Sequence, residues 1–261
     1  MAQSSLEVAN IALLKIGEDT VASLPSSAVA NALIEPAKRS VLRLHPWNFA
    51  TQRASIALKT ITNCADNGSG AIRVTVATHG WSTGNRVTIS EVSGTTEALG
   101  TWTITVNDAN TFDLDTSTFS NAYVSGGKAG LAPAHGYAYK HDLPSDFLRL
   151  IDVDESLVDS VYRVEGGKLL TDEGEPRIIY IADVTDYTLM DTLFYEAFST
   201  YLAWMMAAKL TEDEKRKQIL YQEFQEIMAK ARFVDGTEDS PRNIVTNDWL
   251  ASRATHARGA Y

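Results

Sequence analysis

The sequence predicts an α+β fold: a helical body carrying a small antiparallel β meander and an inserted all-β domain. Three observations predict it. Apolar residues recur at helical spacing near both ends of the chain, residues from about 60 to 130 alternate with period two, and Gly166-Gly167 separates two further alternating runs. The domains that follow are residues 1–59 (N-terminal helices of the body), 60–130 (inserted β domain), 131–235 (meander and two long helices) and 236–261 (extended C-terminal arm).

Ser4-x-x-Glu7 is a capping box, Leu6, Ala9, Leu13 and Ile16 follow at helical spacing, and Gly17 is a natural stop. A second helix reads Val29, Leu33, Ala37, Val41, Leu44. Pro36 predicts a kink there or a break into two pieces, because proline lacks a backbone donor and clashes one turn back. HPWNFATQRASIAL (45–58) then leaves the helix, since Pro46 disfavours helical dihedrals at His45.

In the middle region Ile72, Val74 and Val76, then Trp102, Ile104 and Val106, then Phe112 and Leu114 alternate with polar or small residues. Turn chemistry at 82–85, 93–96, 107–110 and 125–127 separates these runs, and 67–70 and 126–127 read as glycine-rich joints. Beyond it, a hairpin turning at Gly166-Gly167 and a third strand, Arg177 to Ala182, predict the meander. A helix over about 189–209 is apolar on most sides. Thr211-x-x-Glu214 caps a second one carrying Leu220, Phe224, Ile227, Met228 and Ala231 on one face.

The 261 residues include 23 basic and 33 acidic side chains, a net charge of −10, which argues against a protein gripping DNA phosphates over its whole surface. The single cysteine, Cys64, excludes an intramolecular disulfide and a cysteine-based zinc cluster. No apolar run approaches the roughly 20 residues of a membrane-spanning helix. The first ten residues lack the pattern of a secretion signal, so synthesis in the cytoplasm without Sec-type export is expected.

No nucleophile elbow, zinc-protease helix, dinucleotide fingerprint or phosphate loop is present, so neither catalytic residue nor cofactor is assigned. His45, His79, His135, His141 and His256 show no metal-ligand spacing, and DANTFDLD (108–115) lacks the glycine and terminal glutamate of a calcium loop. A carboxylate pair for glycoside hydrolysis leaves no sequence spacing behind; Asp172, Glu173 and Glu175 are the cluster to watch. From Trp249 to Tyr261 the arm carries Arg253, His256 and Arg258 and no acid. It reads either as an ordinary tail or as a segment that orders on a partner.

HPWNFATQRASIAL, LPSDFLRLIDV, YRVEGGKLLTD, IIYIADVTD and DTLFYEAFSTYLAWMMAAKLT, in this order, resemble the tail tubular protein A family of short-tailed bacteriophages. The resemblance covers most of the chain outside the insertion, and residues 78–114 resemble a β module recurring in phage tail proteins. It implies a structural head-to-tail adaptor of the virion, not an enzyme, forming a homo-oligomeric ring, a dodecamer in the family. Such a ring sits between the portal protein and a nozzle like tail tubular protein B. DNA passes through it without sequence-specific binding, and tail fibres attach nearby.

Under this reading Arg242, Trp249, Arg253, Arg258 and Tyr261 are the expected portal-binding residues. Phe194, Phe198, Tyr201, Met205, Phe224 and Met228 are the expected ring interface, on the premise that a small body cannot bury them alone. The alternatives are a tail-associated enzyme degrading host glycan and a tail protein whose insertion docks a fibre or receptor-binding protein.

Overall fold

The computed structural model describes residues 4–153, 161–211 and 213–238. In chain order the elements are α1 (Ser5–Ile16), α2 (Ala28–Leu44), β1 (Thr51–Ser55), β2 (Lys59–Thr60), β3 (Asn63–Asp66), β4 (Ile72–Thr75), β5 (Arg86–Ser93), β6 (Gly100–Val106) and β7 (Thr111–Leu114). There follow β8 (Ser125–Ala132), β9 (Tyr139–Asp142), β10 (Phe147–Val153), β11 (Tyr162–Glu165), β12 (Lys168–Thr171), β13 (Arg177–Ala182), α3 (Thr192–Leu210) and α4 (Glu214–Glu238). The fold is α+β. The described residues combine four α-helices with antiparallel strands in three sheets. The described residues divide into two compact units, one within residues 38–190, the other within residues 4–37 and 191–238.

Helix α1 begins as its sequence dictates: the Ser4 hydroxyl accepts from the Glu7 amide at 3.2 Å. It ends at Gly17, whose φ of 90° turns the chain out of the helix. Helix α2 runs through Pro36 as one element instead of breaking. Pro36 lies on the exposed side, where water can satisfy the Ala32 carbonyl that loses its donor. The buried face of α2 is Ala30, Ile34, Ala37, Lys38, Val41 and Leu42, one residue round from the expected stripe; Leu44 is exposed.

In the larger unit, seven antiparallel strands follow the order β2-β8-β5-β6-β7-β4-β3. Their alternation does what period two requires. Ile72, Val74, Val76, Val87, Ile89, Ile104, Phe112 and Leu114 meet in one core, with Trp81, Trp102 and Val106 packed at its margin.

The expected meander is corrected. The hairpin forms, Glu165 opposite Lys168 across the Gly166-Gly167 turn, but its other neighbour is β9, giving β11-β12-β9. Strand β13 instead lies at the centre of a separate sheet, β1-β13-β10. The reason is compositional: Ile178–Ala182 is buried at every position, so this strand needs partners on both edges and cover on both faces.

The smaller unit packs α1 on α3 and α3 on α4. The Tyr195 hydroxyl fastens α3 to the start of α1, donating towards the Ser4 carbonyl (3.0 Å) and Glu7 Oε2 (3.2 Å). Burial, with the Glu7 carboxylate nearby, pushes this phenol up to about 12. Lys15 pairs with Glu223, and the Arg216 guanidinium caps the Lys15 carbonyl near the end of α1. Among the described residues no helix is long and apolar enough to cross a membrane.

Candidate functional site

The helical hairpin of the smaller unit carries the expected ring interface, and its premise is corrected. Phe194, Phe198, Phe224 and Met228 are buried within the single chain, between 0% and 5% exposed, so they form core and not contact surface. Helix α3 is apolar nearly all round, which allows it to be covered by α1 on one side and α4 on another. Tyr201 and Met205 are half-buried.

What the hairpin presents outward is the half-buried Trp204 and the exposed Tyr221, backed from within by Tyr201 and Phe224. Tyr201, Trp204, Tyr221 and Phe224 form a group of ring contacts: Tyr201 to Phe224 at 4.9 Å, Tyr201 to Trp204 and Trp204 to Tyr221 at 5.3 Å. Phe224 is the buried member of this group and Tyr221, 43% exposed, the open one; their own rings meet at 6.4 Å, closing the cluster. Trp204 and Tyr221 line a groove of about 650 Å³ with Glu214, Lys217, Gln218 and Gln222. Ile219 and Phe233 are also exposed on α4, Phe233 at 73%.

Sequence reasoning missed Trp204 and Tyr221. The available signal was the glutamine stripe Gln218, Gln222 and Gln225, at i, i+4 and i+7: an uncharged polar face beside two aromatic residues on an otherwise charged helix. Expected portal-binding residues Arg242, Trp249, Arg253, Arg258 and Tyr261 lie outside the described residues.

The motif HPWNFA, the most specific of the segments quoted for the resemblance, has a structural task. Trp47 is fully buried, and its indole N–H donates to the Val41 carbonyl in the last turn of α2 at 3.2 Å. His45 meets the Trp47 ring edge-on at 4.8 Å. The Arg149 guanidinium donates to the Arg43 carbonyl at 2.9 Å, and Arg43 donates in turn to the Leu148 carbonyl at 2.6 Å. Two side chains thus serve carbonyls at a helix end where the backbone ladder runs out.

The acidic clusters are likewise occupied. Asp108 closes its own turn, accepting from the Asn110 amide (2.7 Å) and the Thr111 amide and hydroxyl (2.9 Å each). Asp113 accepts from Arg73 Nε at 2.7 Å, from Asn67 and from Asn107; the Arg73 guanidinium holds its carboxyl below the usual carboxylate range. Asp115 accepts from Thr105. In the hairpin region Asp172 accepts from the Ala138 amide at 2.8 Å, Glu175 pairs with Lys128, and the Glu173 carbonyl accepts from His141. Among the described residues no group of three or more His, Cys, Asp and Glu side chains could hold a metal ion. Burial pushes the Cys64 thiol up to about 11, with Glu97 adding to the rise, so it is a poor nucleophile at neutral pH.

A comparison with protein-family models and with curated proteins finds no match for this chain.

Proposed function

We propose that this chain is a structural head-to-tail adaptor of a phage virion: a subunit of a ring between portal and tail nozzle, through which DNA passes on ejection. The observation that carries this reading is the common location of the segments resembling tail tubular protein A. The extended part of HPWNFATQRASIAL, FLRLIDV and RIIYIA supply β1, β10 and β13, which form one sheet, and Trp47 ties the first of them to α2. Residues far apart in sequence are therefore parts of one structural element, as expected if the resemblance reflects one inherited body and not scattered chance matches.

In this reading the ring contact lies on the open aromatic face of the hairpin, around Trp204 and Tyr221, and the core aromatic residues hold that face rigid. The inserted β domain serves as an appendage, the segment that follows α4 makes the portal contact in place of an arm starting at residue 236, because α4 itself runs on to Glu238, and tail fibres dock near the nozzle. No catalytic role is assigned. The subunit works at the head-to-tail junction after synthesis in the host cytoplasm.

The test is assembly. The purified chain is mixed with the portal ring of the phage that encodes it, then followed by mass photometry and electron microscopy. A ring of this chain seated on portal is expected. A chain that neither oligomerises nor binds portal, and that releases reducing ends from host polysaccharide, would overturn the reading in favour of a glycan-degrading enzyme.

A further inference from the structure

Trp81 stands between two hollows in the larger unit. The smaller, about 210 Å³, is lined by Leu58, Lys59, Trp81, Leu131, Lys140 and His141 among others. The larger, about 390 Å³, is lined by Thr78, His79, Trp81, Val106 and Asp108. The indole rests on Phe112 and His79, each with ring centroids at 5.4 Å, and remains half-buried. It is held there before any ligand arrives. The Trp81 amide donates to His79 Nδ1 at 3.0 Å, and His79 Nε2 donates to the Asp108 carbonyl at 2.9 Å. Thr78, at a φ of 44° that β-branched residues rarely adopt, donates its amide to Asn110 and accepts Lys59 Nζ on its carbonyl at 3.1 Å. The Lys59 ammonium is thereby fixed beside Thr78, on the border of both hollows.

The charge arrangement is selective. Nearby Lys128 and Lys168 are neutralised by Glu175 and Asp142. Lys59 and Lys140 form no ion pair with a carboxylate among the described residues, in a chain of net charge −10. The Asp108 carboxylate is turned into its own loop by three hydrogen bonds. His141, 5% exposed, donates from Nε2 to the Glu173 carbonyl at 3.0 Å, and burial lowers its pKa. Its Nδ1 is therefore an acceptor, with no partner among the described residues. Backbone groups add to the polar lining: β9 is an edge strand, and β2 covers β8 only at Lys128 and Ala129, leaving Gly130 and Leu131 without a strand on that side.

We propose that this cleft binds an acidic saccharide, its ring against the Trp81 indole and its carboxylate on the Lys59 ammonium. An indole face suits the C–H face of a sugar, and hydroxyl groups need the mixture of donors and acceptors that the two strand edges and His141 supply. The two unneutralised lysines select an anionic sugar over a neutral one. The inference does not rest on the adaptor reading, since the cleft would serve an adaptor appendage or any other carrier.

The test uses the full chain and three probes: a hexuronate-containing tetrasaccharide, its carboxyl-reduced neutral counterpart, and sodium phosphate. Calorimetry and tryptophan fluorescence should show binding of the acidic sugar, weakened about tenfold or more by carboxyl reduction, as loss of one charge-assisted hydrogen bond implies. Lys59→Gln should cause a similar loss for the acidic sugar alone. Trp81→Ala, checked by circular dichroism, should lose both sugars. Lys59 is partly exposed and outside the core, so Lys59→Gln tests the site even if Trp81→Ala does not fold. No binding, equal binding of the acidic and neutral sugars, an unchanged Lys59→Gln, or phosphate binding as tightly as the sugar would each overturn the proposal.

Discussion

Lys38 Nζ lies 3.2 Å from Asp183 Oδ1, and both side chains are withdrawn from water, 2% and 14% exposed. Arg39, the next residue of α2, donates from Nε to the other oxygen of the same carboxylate at 2.7 Å. One carboxylate just after β13 therefore gathers two cations from one helix, and the Lys38 ammonium also sits 5.7 Å from the centre of the Tyr187 ring. Burying an ammonium is costly unless an anion accompanies it.

The pair predicts an asymmetric mutational response. Asp183→Ala removes the anion that offsets burial of Lys38, and should cost about 3–5 kcal/mol. Lys38→Met keeps the volume and leaves Asp183 with Arg39, so its cost should be clearly smaller. Urea unfolding of the two variants measures the difference; equal losses would mean that Arg39 contributes nothing to holding Asp183.

Trp47 combines a buried ring with a hydrogen bond, and two substitutions separate them. Trp47→Ala should cost about 3–5 kcal/mol, the range for truncating a large buried aromatic residue. Trp47→Phe keeps most of the packing and loses the donor to the Val41 carbonyl, about 1 kcal/mol from the hydrogen bond itself plus the smaller ring's packing deficit. Thermal melts of both variants rank the two contributions.

Glu97 predicts a pH dependence. Burial raises its pKa, but amide donors from Asn121 (2.6 Å) and Ser120 (2.7 Å), with the Asn121 side chain at 3.2 Å, outweigh that and bring it down to about 2. The folded state thus prefers the carboxylate more than the unfolded chain does. The stabilisation is fully present above the unfolded value of 4.5 and is lost as pH falls towards 2. Glu97→Gln should therefore be less stable than the parent chain at pH 6, with the difference shrinking between pH 4.5 and 2. A difference independent of pH would show that the carboxylate charge is not what these donors hold.

Much of the fold was legible because its signals are local. The Ser4 cap, the Gly17 stop, the alternation of Ile72, Val74 and Val76, and the Gly166-Gly167 hairpin each depend on residues a few positions apart. Pairing was less legible. That β13 joins β1 and β10 instead of the preceding hairpin depends on partners more than a hundred residues away in the case of β1, and only its unbroken apolar run hinted at a central place. Four of the six expected interface residues prove to be core for a related reason: helical periodicity marks apolar residues but does not say whether another helix of the same chain already covers them. Phe198 and Tyr221 look equally available in sequence, yet one is fully buried and the other open.

That contrast sets the last prediction. Phe198→Asp would place a carboxylate in a fully buried site packed against Phe194. It should unfold the helical unit and so abolish assembly without reporting on a contact surface. Tyr221→Asp alters a residue 43% exposed, the open member of the ring cluster, so the hairpin should stay folded. If the Trp204–Tyr221 face is the ring contact, a charge set against a neighbour's apolar surface should cost several-fold in assembly at the least, since desolvating an unpaired carboxylate is unfavourable. Circular dichroism should show native helix content for Tyr221→Asp and its loss for Phe198→Asp. Mass photometry with portal should show no ring for Phe198→Asp and several-fold fewer rings for Tyr221→Asp. A folded Tyr221→Asp chain that assembles on portal as well as the parent chain would move the ring contact away from this face, to the exposed stretch of α4 around Phe233.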